Sequence, residues 1–247
     1  TFVNLWIHHG FVTVRNEQTD EEEKMSKSLG NFLTIRDLSG KFHPEALKLF
    51  VFSTQDRNPL EYSEQAMQDA KSGLNRLYDS LAAIGGLEKA PDDSAPSVIS
   101  GKDRKKLGTL EERFIQAMDN DFNTAQALGH LFEAAKMVNK VIGAFGNRQS
   151  PADLELLDST ARTIGELAAI AGILRENPSE FLARQKEDIL ARIDIEPSTI
   201  EQLIVQRNEA RATKDWAMSD QIRDRLLGHG IELKDGPSGT SWDVKRD

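Results

Sequence analysis

The chain has 247 residues, 38% of them hydrophobic, and a formal net charge of -9. That length and apolar content suffice for one large or two to three small packed domains, and the acidic balance argues against binding by unspecific attraction to polyanions. The sequence has no cysteine, which excludes a disulfide, a thiolate nucleophile and a cysteine-ligated zinc site within these residues, and no apolar run approaches the length of a membrane span. No signal segment is read, so a cytoplasmic location is the default expectation.

Residues 2–14 are rich in aromatic and β-branched types. Phe11-Val12-Thr13-Val14 ahead of Arg15-Asn16-Glu17 reads as a strand running into a loop, and the chain is expected to begin inside a packed region. His8 and His9 are acid, base or ligand candidates, but adjacent strand residues face opposite sides and cannot readily share a metal ion; either one alone is ordinarily structural. The acidic run Asp20-Glu21-Glu22-Glu23 then leads into Lys24-Met25-Ser26-Lys27-Ser28-Leu29-Gly30-Asn31. Alternation puts Lys24, Ser26 and Ser28 on one side and Met25 and Lys27 on the other. Ammonium and hydroxyl donors can then meet polyphosphate oxygens while Met25 covers an apolar or aromatic surface. By residue type alone the stretch is either such a phosphate loop or a solvated basic turn.

Phe32-Leu33-Thr34-Ile35 reads as the end of a strand or a turn, and Pro44 suits the first position of a helix carrying Ala46, Leu47, Phe50 and Val51 on one face. The polar segment 53–59 ends it, with Arg57 beside Asp56. Ser63 caps a long amphipathic helix, striped by Ala66, Ala70, Leu74, Leu77, Leu81 and Ile84 and stopped by Gly85-Gly86. Segment 88–106 lacks apolar periodicity and is expected to be an exposed, mobile linker. Further helices are expected over 110–118, after Asn123 with Gln126 three residues on, after Ser150-Pro151-Ala152-Asp153, and after Asn177-Pro178. Their stripes make a helical bundle. Segment 119–124 holds acids but not the spacing or terminal glutamate of a calcium loop, and reads as a turn and cap.

From Pro197 a capping box, Ser198 with Glu201, starts a helix whose Arg207 and Arg211 share a face. Asp215 caps a second helix through Trp216, Ser219, Ile222 and Leu226, and 231–234 and 240–244 alternate as strands around a turn at 235–239. This small α/β unit combines arginines, tryptophans and carboxylates, the groups that read single-stranded RNA loops; a docking appendage with Trp216 and Trp242 as core residues is the other reading.

Lys24-Met25-Ser26-Lys27-Ser28 with Leu29-Gly30-Asn31 resembles the KMSKS signature of class I aminoacyl-tRNA synthetases, undegenerated. In that family the loop is mobile and closes over ATP. The resemblance implies that Lys27 stabilises pyrophosphate while the amino-acid carboxylate attacks the α-phosphorus. It also implies that Lys24 assists, that Met25, Ser26 and Ser28 belong to the ATP site with Met25 on the adenine side, and that the loop stands open or mobile without ATP. Trp6-Ile7-His8-His9-Gly10 is similar to a Trp-x-His-x-Gly segment of cysteinyl-tRNA synthetases, which adds His8 to the ATP-binding set. The module after the lysine loop touches the inner corner of tRNA in class I enzymes, which makes Arg57 a phosphate-contact candidate. Asp215-Trp216, the run 219–226, Gly230-Ile231 and Asp235-Gly236-Pro237-x-Gly239-Thr240-x-Trp242 resemble the anticodon-recognition domain of cysteinyl-tRNA synthetases. Arg211, Trp216, Asp220 and Asp235 are the anticodon candidates by that match, with Trp242 as neighbour or core.

The implied fold is mainly α: the end of a Rossmann-type catalytic domain with the lysine loop (1–35), a stem-contact segment (36–62), a helical bundle (63–192, linker about 88–106) and a small α/β anticodon-recognition domain (197–247). The implied function is ATP-dependent activation of cysteine to cysteinyl-adenylate and its transfer to tRNA(Cys), with Mg2+ accompanying ATP. The HIGH motif, most of the nucleotide-binding fold and the zinc site of the family would lie before Thr1. No metal ligand is assigned here, and the isolated chain is expected to be inactive without an N-terminal catalytic portion as partner. A related cysteine ligase of thiol biosynthesis and a non-enzymatic tRNA-binding module are the alternatives; the Trp216–Trp242 tail argues against the first.

Overall fold

The computed structural model describes residues 2–4, 6–15, 22–193, 195–236 and 239–244. The acidic approach at 17–21 and the hairpin tip at Pro237 and Ser238 lie outside them. The chain divides into two compact units, Thr1–Ser179 and Glu180–Asp247.

The first unit opens with a small sheet. Strand β1 (Val12–Arg15) lies between β2 (Glu22–Lys24), to which it is antiparallel, and β3 (Leu60–Tyr62), to which it is parallel. Thr13 pairs with Lys24 on one side and Glu61 on the other, so β1 links the strand from which the lysine loop departs to the module that follows the loop. Gly10 makes this crossing feasible: its N–H reaches the Asp56 carbonyl at 2.6 Å, and a Cβ there would stand 2.2 Å from the Asn58 carbonyl oxygen. The strand begins only at Val12, and Phe2, Trp6, Ile7 and Phe11 are exposed, against the expectation of a packed opening segment. Aromatic and β-branched content marked a strand without showing what would cover it.

Thr34 does not end a strand. It caps α1 (Ile35–Ser39) in a capping box with Asp37, whose carboxyl is held below its usual range by the Thr34 hydroxyl and N–H. Helix α2 (Pro44–Phe52) starts as its proline suggests, with His43 as cap. Ser63 caps α3 (Glu64–Gly85) and Asn123 caps α6 (Thr124–Ala144), each side chain accepting from the N–H three residues on. Helices α4 (Gly101–Gly108), α5 (Leu110–Asp119) and α7 (Pro151–Ile170) complete the bundle. Ser150 makes no cap bond, although Pro151 is the first residue of α7.

The segment expected to be a mobile linker is built into this unit. Pro91 bridges to Gln149, Ile99 is buried with Ile84, Val138, Val141 and Leu157, and α4 begins at Gly101. The fully buried Asp153 accepts from Ser97 Oγ (2.7 Å), Val98 N–H (2.8 Å) and Arg104 (2.6 Å). Backbone pairing, the buried Ile99 and the carboxylates of Asp153 and Asp158 hold the segment, and none of them leaves an apolar period in the sequence. A second buried carboxylate, Glu45 on α2, accepts from Tyr78 Oη (2.8 Å), Leu174 N–H (2.9 Å) and Arg175 N–H (3.0 Å). Burial and the Glu45 bond push the Tyr78 hydroxyl far above its ordinary pKa, so it remains a donor.

In the second unit, α9 (Pro197–Ala212) and α10 (Trp216–Gly228) pack Ile200, Leu203, Ile204, Ile222 and Leu226 against Ile231 and Val244 of the hairpin β4 (Ile231–Gly236) and β5 (Gly239–Val244). Ile189 and Leu190, at the end of α8 (Pro178–Leu190), add to this core. The hairpin is in register throughout, with Asp235 opposite Thr240 and Leu233 opposite Trp242. The expected capping box at Ser198 is absent: α9 already begins at Pro197, so Ser198 sits inside the first turn and Glu196 holds the cap position. Asp215 caps α10 as expected, bonding Met218 N–H at 3.0 Å.

Candidate functional site

The lysine loop leaves β2 at Lys24, runs extended through Ser26 and closes in a 3-10 turn, Lys27–Leu29, that ends at Gly30. Gly30 has φ 70°, a conformation a glycine reaches without strain. Met25 N–H bonds the Val12 carbonyl at 3.0 Å, and its side chain packs on the cluster of Phe42, Phe50, Tyr62, Met67 and Ala70. Met25 thus anchors the loop to its own module. Ser26 and Ser28 bring their hydroxyl oxygens within 3.3 Å of each other, as alternation predicts. Asn31 ties the loop ends, its Oδ1 accepting from Ser26 N–H at 2.8 Å and its Nδ2 facing the Lys24 carbonyl at 3.4 Å. Lys24 Nζ lies 3.9 Å from the Phe11 ring centre and Lys27 Nζ 5.4 Å from that of Phe32. Among the described residues neither ammonium has an ion-pair partner. His8 is exposed and its ring stacks with Trp6, centres 6.4 Å apart.

Arg57 faces Asp121 rather than Asp56. Its Nη2 donates to Asp121 Oδ1 at 2.8 Å and its Nε pairs with Oδ2. Asp121 raises the guanidinium's pKa further, and Arg57 remains largely exposed. Near this pair an apolar cavity of about 610 Å³ is lined by Val12, Phe52, Phe114, Met118 and Phe122, among others.

The second unit gathers Arg207, Arg211 and Asp235 at the turn end of the hairpin. Arg207 Nη1 and Nη2 grip Asp235 Oδ1 and Oδ2, both at 2.9 Å, and Arg211 Nη1 donates to Oδ2 at 2.8 Å. Thr240 Oγ1 is 2.8 Å from Oδ1 and 3.1 Å from Asn208 Oδ1; with one hydroxyl proton, it serves the nearer carboxylate. Asp235 is held well below the usual carboxylate range, first by Arg207 and then by Thr240. Arg207 is the group sequence reasoning passed over: its spacing from Arg211 was legible, its burial was not. Trp216 stands exposed at the start of α10, and Asp220, also exposed, pairs with Arg223 at 3.3 Å. Trp242 belongs to the unit's own packing. Its Nε1 donates to Glu201 at 2.6 Å and Lys186 Nζ lies 4.1 Å from its ring centre. Among the described residues, no three His, Cys, Asp or Glu side chains converge as metal ligands, so no residue is assigned to zinc or Mg2+. No described helix is long and apolar enough to cross a membrane.

Three family models match the chain in sequence order. That of the class I (C) tRNA synthetase catalytic domain covers residues 1–72, that of the DALR domain 113–175, and that of the cysteinyl-tRNA ligase anticodon binding domain 196–242. Among curated relatives, a cysteine–tRNA ligase of Desulfotalea psychrophila is 52% identical over 99% of this chain and 49% of its own length. The chain belongs to the cysteinyl-tRNA synthetase family. Cysteine–tRNA ligases of Pelobacter propionicus and Trichlorobacter lovleyi are 41% and 42% identical, again over 99% of the chain and 50% and 49% of their own lengths. The chain therefore spans about half the length of the curated cysteinyl-tRNA synthetase relatives it matches. Within the family frame, the lysine loop lies in the catalytic-domain match, and the Arg207, Arg211, Trp216 and Asp235 group in the anticodon-domain match.

Proposed function

We propose that the protein containing this chain attaches cysteine to tRNA(Cys) through an ATP-activated cysteinyl-adenylate, with Lys24, Ser26, Lys27 and Ser28 acting on the nucleotide and the second unit reading the anticodon. The observation that carries this reading is the undegenerated lysine signature on an exposed loop whose two ammonium groups have no ion-pair partner among the described residues. Such cations suit a polyphosphate, since their charge is not already spent on a carboxylate. Their rests on Phe11 and Phe32 are worth only about 0.5–1 kcal/mol each at exposed positions, so transfer to phosphate oxygens costs little.

Negative charge builds on the departing pyrophosphate as the cysteine carboxylate attacks the α-phosphorus. An ammonium placed there lowers the barrier more than it strengthens ground-state binding, the role given to Lys27. Lys24 adds charge at the same oxygens, and Ser26 and Ser28 add hydroxyl donors. Asn31 and Gly30 set the loop's shape, and the packing of Met25 fixes its root while leaving the lysines to move. His8 is assigned to the nucleotide with Trp6 as its support. Mg2+, when bound with ATP, would neutralise phosphate charge; zinc finds no ligand set among the described residues. In the second unit Trp216 offers a face for base stacking, Arg211 a cation for phosphate, and Asp220 and Asp235 acceptors for base N–H groups. Arg57 contacts tRNA phosphate only if it gives up Asp121. A cytoplasmic site of action accords with this activity.

The test is cysteine-dependent ATP–pyrophosphate exchange by the complete protein, with Lys27→Ala as control. Slowed exchange with unchanged tRNA binding supports the assignment; equal losses in both contradict it.

A further inference from the structure

A carboxylate has room for about four hydrogen-bond donors, two on each oxygen. Asp235 already has four from its own protein: Arg207 Nη1 and Thr240 Oγ1 on Oδ1, Arg207 Nη2 and Arg211 Nη1 on Oδ2. As it stands, it has no site left for an incoming base. The donors are not equivalent. The Arg207 side chain is 8% exposed and engages both oxygens through its rigid fork, and Thr240 is held opposite Asp235 by the hairpin ladder. Arg211, in the last turn of α9, is 41% exposed and touches the carboxylate through one nitrogen. It is the donor that an external anion can reach and draw away.

We propose that Arg211 and Asp235 form an exchange pair, kept in register by Arg207 as a positioning residue. This rests on the RNA-binding reading given above. A phosphate of a single-stranded RNA loop takes Arg211, and the acceptor position vacated on Asp235 Oδ2 receives an N–H from an unpaired base. One ion pair is replaced by another, so the step requires no bare charge. Oδ1 stays with Arg207 and Thr240, so the carboxylate offers one oxygen in one orientation, which is what makes the contact selective. Arg207 never meets the RNA. The low carboxyl pKa set by the same donors keeps Asp235 ionised and acceptor-only through the exchange.

The test uses this 247-residue chain, the anticodon stem-loop RNA of tRNA(Cys), and a set of the same stem-loops with one loop base changed at a time, with affinities measured across a salt series. Arg211→Gln is expected to weaken all loops alike and to lower the slope of log affinity against log salt by about 0.7, the loss of one phosphate contact on a single strand, while keeping discrimination. Asp235→Asn is expected to keep the slope and to lose about tenfold discrimination at one loop position. Arg207→Lys keeps the charge without the fork. It is expected to leave the slope intact and to lose discrimination at that same position; Thr240→Val, at the hairpin surface, gives the same pattern if Arg207→Lys does not fold. Arg207→Lys and Thr240→Val that weaken all loops equally, or change nothing, overturn the positioning role, and an unchanged salt slope in Arg211→Gln overturns the exchange. A wild-type chain blind to loop sequence sinks the anticodon reading itself, and the exchange with it.

Discussion

Lys24 and Lys27 rest against aromatic rings with no ion-pair partner among the described residues, whereas Arg207 and Arg211 both hold one carboxylate. Under the function proposed above, the task of each region accounts for the difference. A loop that must meet charge created during a reaction works best if its cations are lightly held. A surface that must tell one base from another works best if its acceptor is fixed before the ligand arrives, because an oriented hydrogen bond discriminates and a mobile one does not. Residue choice agrees: compact, strongly hydrated ammonium groups in the first region, forked guanidinium groups in the second.

The largest effect that would break this contrast is on the lysine side. In the complete enzyme, Lys27→Ala is expected to reduce cysteine-dependent ATP–pyrophosphate exchange by about 10²–10³-fold, the loss typical of one transition-state charge stabiliser, with tRNA affinity unchanged. On the arginine side, Asp235→Ala strands the buried Arg207 and is expected to destabilise the second unit by about 2 kcal/mol, measured by urea unfolding. That is below the ~3–5 kcal/mol of a fully buried pair, because Asp235 is itself half exposed and water can screen what remains.

The pH dependence sharpens the same point. A carboxyl whose folded pKa is depressed contributes stability that is complete above its ordinary value of 3.8 and is lost as pH falls below it. Wild-type melting of the second unit should therefore drop more steeply below about pH 4 than that of Asp235→Asn, which lacks the titrating group. Trp216→Ala should change stability by less than about 0.5 kcal/mol, since the ring is exposed, yet weaken anticodon stem-loop binding about tenfold. The smallest effect is expected from Phe11→Leu, which removes the rest under Lys24 and should shift the KM for ATP by less than about fivefold.

Helix starts were the most legible part of the fold, because a cap is a local event: Ser63, Asn123 and Asp215 each satisfy an N–H three residues on, and Pro44 begins its helix. Ser150 and Ser198 show the limit of the same rule, since adjacent prolines started those helices without a serine bond. Thr34 with Asp37 carried a cap signal that the apolar Phe32-Leu33 before it obscured. What could not be read was long-range. Arg57 chose Asp121 over its neighbour, 88–106 was fastened by Asp153 and Gln149, and Arg207 was buried by a hairpin some thirty residues later. At the lysine loop the motif was explicit, but the packing of Met25 and the Asn31 clasp depend on strands and helices elsewhere in the chain.

Glu45 carries a consequence for how the molecule can be cut. Two of the three donors to its buried carboxylate are the N–H groups of Leu174 and Arg175, 129 and 130 positions downstream. A truncation ending after α6, or even within α7, would keep the acceptor and discard most of its donors, leaving a desolvated charge that only unfolding could rehydrate. The shortest expression fragment of the first unit that retains this clasp must extend past Arg175, and its helices should gain protection from hydrogen exchange together rather than one hairpin at a time.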